Sequence, residues 1–321
     1  MPVCRWFLQQ GQARCLFYFY GMKPLCRTAA PNEVGAVADV ILSANPQIEA
    51  RIKNFLARGA RWHDATPVVC EVDGRIVSSA CIFHRQVLVE EKPKPVAIIG
   101  AVATRPEARG QGLATRVLTH CEELIRERGY PQAILFCSII EFYQRFGWAV
   151  VEEDFVEFEL SSARPRTGTY TIAAVNLTAI PAPLRALADS AIVRTDEVWQ
   201  EYADWQRADA DLFWAASNRD EFVAYVRSRR EGRAIRLMDA ACRPEAADAL
   251  GLLLHRQHEM AGVECFRTFL PRESRLARSL ADAGVVCFWR KTDVASGVMM
   301  MKPMTGDLRW SPHPWWAVDR V

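Results

Sequence analysis

The chain has 321 residues, of which 50% are hydrophobic and 24% charged, and its formal net charge is +2. This length predicts two domains of roughly 160 residues, each with enough apolar side chains for its own core. No run of 18 apolar residues occurs, which excludes a membrane-spanning helix; the charge argues neither for nor against nucleic acid, and we expect no such partner.

Residues 1–21 are an N-terminal extension of uncertain status. The aromatic run from Cys15 to Tyr20 is too short for the apolar region of a signal peptide, and no small-residue cleavage site follows it. The segment is either a genuine extension or the product of a start codon upstream of Met22. The ten cysteines are scattered without a Cys-x-x-Cys pair, which favours a reducing cytoplasm.

The first elements are strands and amphipathic helices. Asn32 is a candidate N-cap for the first helix, and Asp73-Gly74 is a strong hairpin signal between two apolar runs. The predicted elements, in chain order, are a strand at 24–28, helices at 32–43 and 48–58, and strands at 67–72 and 75–83.

A glycine-bearing basic turn, Arg109-Gly110-Gln111-Gly112, lies between a predicted strand at 96–104 and a predicted helix at 112–128. The first amides of a helix lack intrahelical partners and the helix dipole favours negative charge there, so the turn is a candidate phosphate site. Gly110 and Gly112 allow a ligand to approach the backbone closely, and Arg109 adds a positive charge.

Two kinds of phosphate-binding turn compete for this stretch. A dinucleotide-binding fold requires Gly-x-Gly-x-x-Gly, and Thr115 stands where the third glycine is required, which argues against a nicotinamide-dependent oxidoreductase. The spacing Arg109-x-x-Gly112-x-Ala114 instead resembles the acyl-CoA pyrophosphate loop of the GNAT acetyltransferase superfamily, whose pattern is Gln/Arg-x-x-Gly-x-Gly/Ala.

A second block, one helix length downstream, extends this resemblance. A short buried strand at 133–137 precedes Phe142-Tyr143 on a short helix, and Gly147-Trp148 leads into a strand at 148–152. GNAT enzymes have a similar motif in the same order. The two motifs cover residues 96–152, and the resemblance implies an α/β protein with a mixed sheet, the GNAT acyl-CoA N-acyltransferase fold.

The second half of the chain contains a weak copy of the first. The stretch Arg105-Pro106-Glu107-Ala108 matches Arg243-Pro244-Glu245-Ala246, and His120 and Gly147 match His255 and Gly284 at nearly the same offset. The copy lacks the glycine-bearing turn, and Leu280 stands at the position of Tyr143. The architecture resembles tandem acetyltransferases with one active and one degenerate domain, such as the enhanced-intracellular-survival group.

The stretch 161–168, rich in small and basic residues with Pro and Gly, is predicted to be a linker. It separates a catalytic GNAT domain at 22–161, whose last strand is predicted at 155–160, from a degenerate GNAT-like domain at 169–321 with an aromatic C-terminal tail. The apolar run 298–301 is predicted to close the sheet of the second domain.

The resemblance implies an N-acetyltransferase that moves an acetyl group from acetyl-CoA to a primary amine of a small molecule or peptide by direct attack. The pantetheine would lie along the strand end and the pyrophosphate at the turn. The implied cofactor-binding residues are Val102, Ala103, Thr104, Arg109, Gly110, Gln111, Gly112, Leu113, Ala114 and Thr115. An N–H near Val102 would stabilise the developing oxyanion.

Tyr143 is placed as the GNAT tyrosines that protonate the departing thiolate are placed. The alternative is a packing role beside Phe142 and Phe146. The predicted strand 96–104 carries no carboxylate that would serve as a general base. Other candidates for the base are ordered water and four groups of the chain: Glu71, His84, Glu141 and the terminal carboxylate of Val321.

We expect no metal, because His255 and His258 have no third His or Cys nearby in the sequence. The acceptor amine and the oligomeric state are open, although no acidic cluster suits a polycationic acceptor. A function of another class is also open: a non-catalytic acyl-CoA sensor whose degenerate half binds a partner. Release of CoA in the presence of an amine would distinguish the enzyme from the sensor.

Overall fold

The computed structural model describes residues 3–9, 12–18, 23–49, 52–53, 65–89, 92–160, 170–188, 192–200, 212–291 and 297–305. The strands of these residues form two seven-stranded sheets and one separate hairpin. The hairpin belongs to the N-terminal extension and pairs β1 (Val3–Gln9) with β2 (Gln12–Tyr18) in antiparallel register. Within the described ranges, no helix is long and apolar enough to span a membrane.

The first sheet is built mainly from the first half of the chain. Its strands are β3 (Leu25–Thr28), β4 (Ala65–Val72), β5 (Arg75–Val89), β6 (Lys92–Thr104), β7 (Gln132–Cys137), β8 (Ala149–Val151) and β16 (Val298–Pro303). Their spatial order is β3-β4-β5-β6-β7-β16-β8. The predicted hairpin of β4 and β5 is present, and Asp73 and Gly74 have φ values of 55° and 75°, as a type I′ turn requires.

The helices of the first half include α1 (Val34–Ala44), α2 (Leu113–Glu127) and α3 (Ile140–Gln144). Along α2, one apolar face packs against β3 and β4. The sequence places Leu113, Val117, Leu118, Cys121, Leu124 and Ile125 on one helical face; all of them are buried except Leu124, which is half-buried, and Glu122 is buried as well. Each large apolar side chain buried in this way stabilises the fold by about 1.5–3 kcal/mol.

The start of α1 differs from the prediction. Asn32 is not its N-cap, because Pro31–Glu33 forms a 3-10 turn ahead of the helix. Glu33 stabilises that turn instead, since its carboxylate accepts the backbone N–H of Ala30 at 2.7 Å. The predicted helix at 48–58 lies largely outside the described residues.

The second sheet is built mainly from the second half. Its strands are β9 (Asp154–Glu159), β10 (Thr171–Ala174), β11 (Leu212–Asn218), β12 (Glu221–Glu231), β13 (Ala234–Cys242), β14 (Cys265–Phe269) and β15 (Val286–Lys291). Their order is β10-β11-β12-β13-β14-β9-β15. The helices of this half include α4 (Ala182–Arg185), α5 (Ala247–Ala261) and α6 (Arg275–Asp282).

The two halves repeat the same backbone hydrogen bonds before their long helices. Before the first Pro-Glu-Ala turn, the N–H of Arg105 donates to the carbonyl of Val77 at 2.9 Å. Before the second, the N–H of Arg243 donates to the carbonyl of Val223 at 2.8 Å. Both α2 and α5 then run for 15 residues. The repeat found in the sequence is therefore also a repeat of the fold.

The end of each repeat matches as well. Gly147 and Gly284 adopt φ values of 79° and 75°, and each follows a short helix. The residue after each glycine donates its N–H to the carbonyl of Tyr143 or Leu280, at 3.4 and 2.9 Å. Leu280 thus occupies the backbone position of Tyr143, as the sequence alignment of the two halves predicts.

Each sheet contains one strand from the other half of the sequence. β9 follows β8 along the chain but lies between β14 and β15 in the second sheet, antiparallel to both. β16 follows β15 but lies between β7 and β8 in the first sheet. The predictions that residues 298–301 close the second sheet and that residues 155–160 belong to the first are therefore wrong. Both exchanged strands take the sixth position in their sheets.

Side-chain packing fixes the exchanged strands in place. On β9, the buried Phe158 stacks on Phe266 of β14 with ring centroids 5.1 Å apart. On β16, Met300 is fully buried, and the thiol of Cys137 donates to its sulfur at 3.4 Å. An apolar alternation specifies that a segment is a strand and which face is buried, but it does not name the neighbouring strand.

The described residues within 1–85, 95–134 and 303–308 form one compact unit, and those within 86–94, 135–302 and 309–321 form a second. The glycine-bearing turn lies in the first unit and Tyr143 in the second. The predicted linker at 161–168 lies outside the described residues, so the boundary between domains at 22–161 and 169–321 stays a prediction.

Candidate functional site

The end of β6 has an irregular backbone. Ala101 adopts a φ of 52°, a left-handed conformation that non-glycine residues seldom adopt inside a strand. Such a residue bends the strand and redirects the amides and carbonyls that follow it. Val102, Ala103 and Thr104, three of the predicted cofactor-binding residues, come directly after this point.

Three hydrogen bonds hold the strand end in place. The hydroxyl of the buried Ser78 donates to the carbonyl of Ala103 at 2.9 Å and lies 2.8 Å from the hydroxyl of Thr104. From the other side, Nε of Arg109 donates to the carbonyl of Thr104 at 3.3 Å. Arg109 is therefore an exposed cation whose side chain is folded back onto the strand.

The turn itself alternates left-handed glycines with ordinary residues. Gly110 and Gly112 have φ values of 79° and 72°, and a Cβ added at either position would meet no atom within 4 Å. The backbone angle, not lack of space, therefore calls for glycine at both positions. Left-handed residues within such a turn aim successive N–H groups into one concavity, the geometry of an anion-binding nest.

The first turn of α2 adds further donors. The first intrahelical bond runs from the N–H of Arg116 to the carbonyl of Gly112 at 3.1 Å. The amides of Leu113, Ala114 and Thr115 precede that bond, so the helix offers them no acceptor. Gly112 is the N-cap and has no side chain to satisfy them. These amides and the helix dipole together favour an anion.

The predicted cofactor-binding residues therefore lie on one continuous stretch of a single unit: the strand end, the turn and the first turn of α2. The described residues of the second half contain no such stretch. There the 3-10 turn Pro244–Ala246 leads straight into α5 at Ala247, without intervening glycines. The backbone of the second copy therefore lacks the glycine-bearing turn, as the sequence predicts.

Tyr143 lies on α3 and is 6% exposed. Its ring meets that of Phe142 edge to face, with centroids 4.9 Å apart. Burial raises the pKa of the phenol to about 12, and the neighbouring Cys137 contributes in the same direction. The phenol is therefore protonated across the neutral range, the state that a proton donor needs.

The candidate bases differ in their surroundings. Glu71 accepts a bond from Arg27 at 2.7 Å and is thus held in an ion pair. Nε2 of His84 accepts a bond from Arg128 at 2.6 Å, so the lone pair of that nitrogen is already engaged. Glu141 is exposed at the start of α3, and Val321 lies outside the described residues.

No group of three or more His, Cys, Asp or Glu side chains in the described ranges has the arrangement of a metal site. His255 and His258 both lie on α5.

The sequence does not predict the contributions of Ser78 and Ala101 to the strand end. Ser78 reaches the carbonyl of Ala103 only because of the register between two strands, which the sequence does not specify. Nothing in the local sequence marks Ala101 as a left-handed residue.

Comparison with known protein families gives a match over part of the chain. Residues 37–151 match the family model described as acetyltransferase (GNAT) domain. Comparison with curated protein sequences gives no match. The matched segment includes the strand end, the turn, α2 and Tyr143.

Solved structures share the fold over most of the chain. A GCN5-related N-acetyltransferase from Anabaena variabilis aligns with a TM-score of 0.63 at 14% identity, covering 88% of this chain and 73% of that one. Eis1 from Mycobacterium abscessus aligns with a TM-score of 0.58 at 17% identity, covering 88% and 74%. A tandem GNAT protein from the clavulanic acid biosynthesis pathway aligns with a TM-score of 0.52 at 12% identity, covering 89% and 100%. The predicted fold class is thereby confirmed.

Proposed function

We propose that the chain is an N-acetyltransferase that transfers an acetyl group from acetyl-CoA to a primary amine of a small molecule or peptide; the match of residues 37–151 to the acetyltransferase (GNAT) domain model supports this. The observation that carries the proposal is the turn at 109–115, where two left-handed glycines and the free first-turn amides of a long helix converge. That arrangement suits the pyrophosphate of an acyl-CoA.

The pyrophosphate binds to the turn through backbone donors. The amides of Gln111 to Thr115 supply hydrogen bonds, and the α2 dipole and Arg109 supply positive potential. The open space beside Gly110 and Gly112 supports this assignment, because a phosphate oxygen must approach the backbone where a Cβ would otherwise project.

The pantetheine arm lies along Val102 to Thr104, pairing with the backbone as an added strand. The strained Ala101 directly precedes Val102 and redirects its N–H out of regular strand geometry. We assign that N–H to the thioester oxygen. Loss of one such donor to a developing oxyanion raises the barrier by about 3 kcal/mol.

The acceptor amine attacks the thioester carbonyl directly. The new C–N bond forms as the C–S bond breaks, the amine loses a proton to water or a nearby base, and the sulfur leaves with the electron pair of the broken bond. Tyr143 donates its phenolic proton to that sulfur, which yields the acetylated amine and CoA. Its protonated state at neutral pH supports this role.

CoA binds only in the first half. The second half lacks the turn between its 3-10 segment and α5, and it has Leu280 in place of Tyr143. We therefore assign the second copy a structural role. We also place the enzyme in the cytoplasm, a reducing compartment; in support of this, the eight cysteines from Cys26 to Cys287 are free thiols.

Titration calorimetry with CoA tests the proposal. We expect about one CoA per chain, and no detectable binding to a double variant, Arg109→Glu with Gly112→Asp, in which negative charges repel the phosphates. The matched control is Arg256→Glu on α5 with Gly262→Asp at the C-cap of that helix. It has the same charge change and replaces a glycine with a φ of 58° in the second copy. The control should bind CoA normally.

Two CoA sites per chain, or unchanged binding by the Arg109/Gly112 variant, would contradict the assignment. Amine-dependent release of free thiol from acetyl-CoA tests the chemistry itself. Binding of CoA without thiol release by any amine tested would favour a non-catalytic sensor over the enzyme.

A further inference from the structure

A pocket of about 610 Å³ opens at the other end of α2. It lies where the end of β3, the start of α1, the start of β4 and the C-terminal end of α2 meet, all in the first unit. Its volume is in the range of small-molecule sites. Its lining residues are Thr28, Ala29, Ala30, Pro31, Asn32, Val34, Val37, Ala65, Thr66, Pro67 and Arg128.

This pocket is separate from the pyrophosphate turn. Arg128 is the C-cap of α2, whereas the turn at 109–115 leads into its N-terminus. A helix of 15 residues is about 22 Å long, so the two features lie that far apart along it. The pocket also faces the β3 edge of the sheet, and β5 separates β4 from the cofactor-binding strand β6.

The helix end that carries Arg128 is held rigidly. Gly129 adopts a φ of 73°, and its N–H donates to the carbonyl of Arg126 at 2.9 Å. The N–H of Tyr130 donates to the carbonyl of Ile125 at 3.2 Å. These are the paired bonds of a Schellman motif, which fixes the direction of the chain on both sides of the glycine.

A polar network then fixes the guanidinium. Nη1 of Arg128 donates to Oγ1 of Thr66 at 2.8 Å and to Nε2 of His84 at 2.6 Å. Because a guanidinium only donates, Nε2 is the accepting nitrogen and the ring proton lies on Nδ1. Nδ1 donates this proton to the hydroxyl oxygen of Tyr130, and the two atoms lie 2.8 Å apart. His84 and Thr66 are therefore positioning residues for Arg128.

The network engages Nη1, and no acidic residue within the described part of the chain forms an ion pair with Arg128. Nε and Nη2 stay available as two parallel donors, the arrangement that matches the two oxygens of a carboxylate. Arg128 is also the one charged side chain among the lining residues. A single cation balances a monoanion, whereas a phosphate dianion would require a second.

The remaining walls are mostly apolar, from the Ala, Val and Pro side chains of the lining. We propose that the pocket binds a small organic carboxylate, with its two oxygens on the Arg128 guanidinium and an apolar body against those walls. The pocket thus gives the enzyme a second small-molecule site that does not use the acyl-CoA turn.

Calorimetric titration of the full chain with 3-phenylpropionate tests this inference, with 3-phenylpropionamide as its uncharged counterpart. We expect saturable binding of the carboxylate and at least tenfold weaker binding of the amide. Arg128→Gln should weaken carboxylate binding by about 10- to 100-fold, the range for losing a charge-assisted pair. Arg126→Gln, two residues earlier and outside the lining, should leave it unchanged.

A second variant keeps the test decisive if Arg128→Gln alters the helix end. Thr66→Val removes one hydroxyl without changing side-chain size and should weaken carboxylate binding, while CoA binding at the far end of α2 stays normal. Equal binding of acid and amide, preference for phenyl phosphate, or full carboxylate binding by Arg128→Gln would overturn the inference. None of these outcomes depends on whether CoA binds at the turn.

Discussion

At the scale of single residues, burial governs the chemistry of Tyr143. Its phenol has a pKa of about 12 because the ring is removed from water. An exposed tyrosine is half ionised near pH 10. The neutral, proton-donating form therefore persists to higher pH, and we expect no loss of turnover from ionisation of Tyr143 between pH 7 and 10. A pH profile of kcat measures this.

Replacing Tyr143 by Phe tests the donor directly. We expect turnover to fall by about 10²- to 10⁴-fold where departure of the thiolate limits the rate, with unchanged CoA affinity. The ring that packs against Phe142 is preserved, so the melting temperature should barely move. Tyr170→Phe, a hydroxyl removed from the second copy, is the control. Turnover of Tyr143→Phe within threefold of wild type would leave the residue with a packing role only.

A second residue-scale prediction concerns the ion pair before α1. Glu33 pairs with both terminal nitrogens of Arg27, at 2.7 and 2.8 Å, and this pairing lowers the pKa of Glu33 to about 2. The unfolded chain binds a proton at Glu33 near pH 4.3, well before the folded chain does. The carboxylate therefore stabilises the fold at neutral pH, and that contribution is lost as pH falls from about 4.5 to 2.

Glu33→Gln should accordingly lower the free energy of unfolding by about 1 kcal/mol at pH 7, a value reduced by solvent exposure of the pair. The difference from wild type should shrink below pH 4.5. Urea unfolding at several pH values measures it, with the exposed Glu127→Gln as a control. A difference that stays constant down to pH 3 would show that the ion pair is not its source.

At the scale of elements, the turn before α2 depends on backbone angles. In Gly112→Ala the added methyl meets no atom, but the residue keeps a φ of 72° at a cost of about 1–2 kcal/mol. We expect lower stability and weaker CoA binding. Gly35→Ala in α1 is the matched control. It also meets no atom but has ordinary helical angles, so it should raise stability by about 0.5–1 kcal/mol.

Much of the site follows from local sequence. The turn, α2 and the matching positions of Tyr143 and Leu280 depend on short spacings that a helix or a glycine turn imposes. The hydrogen bond between Ser78 and Ala103 joins residues 25 positions apart and depends on the register of their two strands, which no local sequence pattern specifies. The ion pair between Glu71 and Arg27 is not predictable from the sequence for the same reason, because Arg27 lies on a neighbouring strand.

The sheets show the same limit at larger distance. The apolar run at 298–301 predicts a strand, and the structure has one there. Its neighbours β7 and β8 lie in the other half of the chain. Because β16 follows β15 along the chain, its position in the sequence predicts the second sheet, which is wrong. The repeat reinforced the error, because two copies in tandem suggest two self-contained sheets.

At the scale of the whole molecule, the exchanged strands make each half incomplete. A fragment of residues 1–161 lacks β16 and carries β9 without its partners β14 and β15. We expect neither 1–161 nor 169–321 to fold cooperatively alone, and the two co-expressed fragments to purify as a 1:1 complex. Circular dichroism melting and size-exclusion chromatography measure this. Two independently folded monomeric fragments would contradict the exchange.

The exchange also sets the order in which a ribosome can finish the two sheets. Strands β9 to β15 are consecutive in the chain, so the second sheet has all its strands as soon as β15 is made. The first sheet must wait for β16, roughly 150 residues after β8. At about 5–20 residues per second, its β7 and β8 edges stay unpaired for roughly 8–30 s, long enough to recruit chaperones or aggregate. The domain that is translated first is therefore completed last.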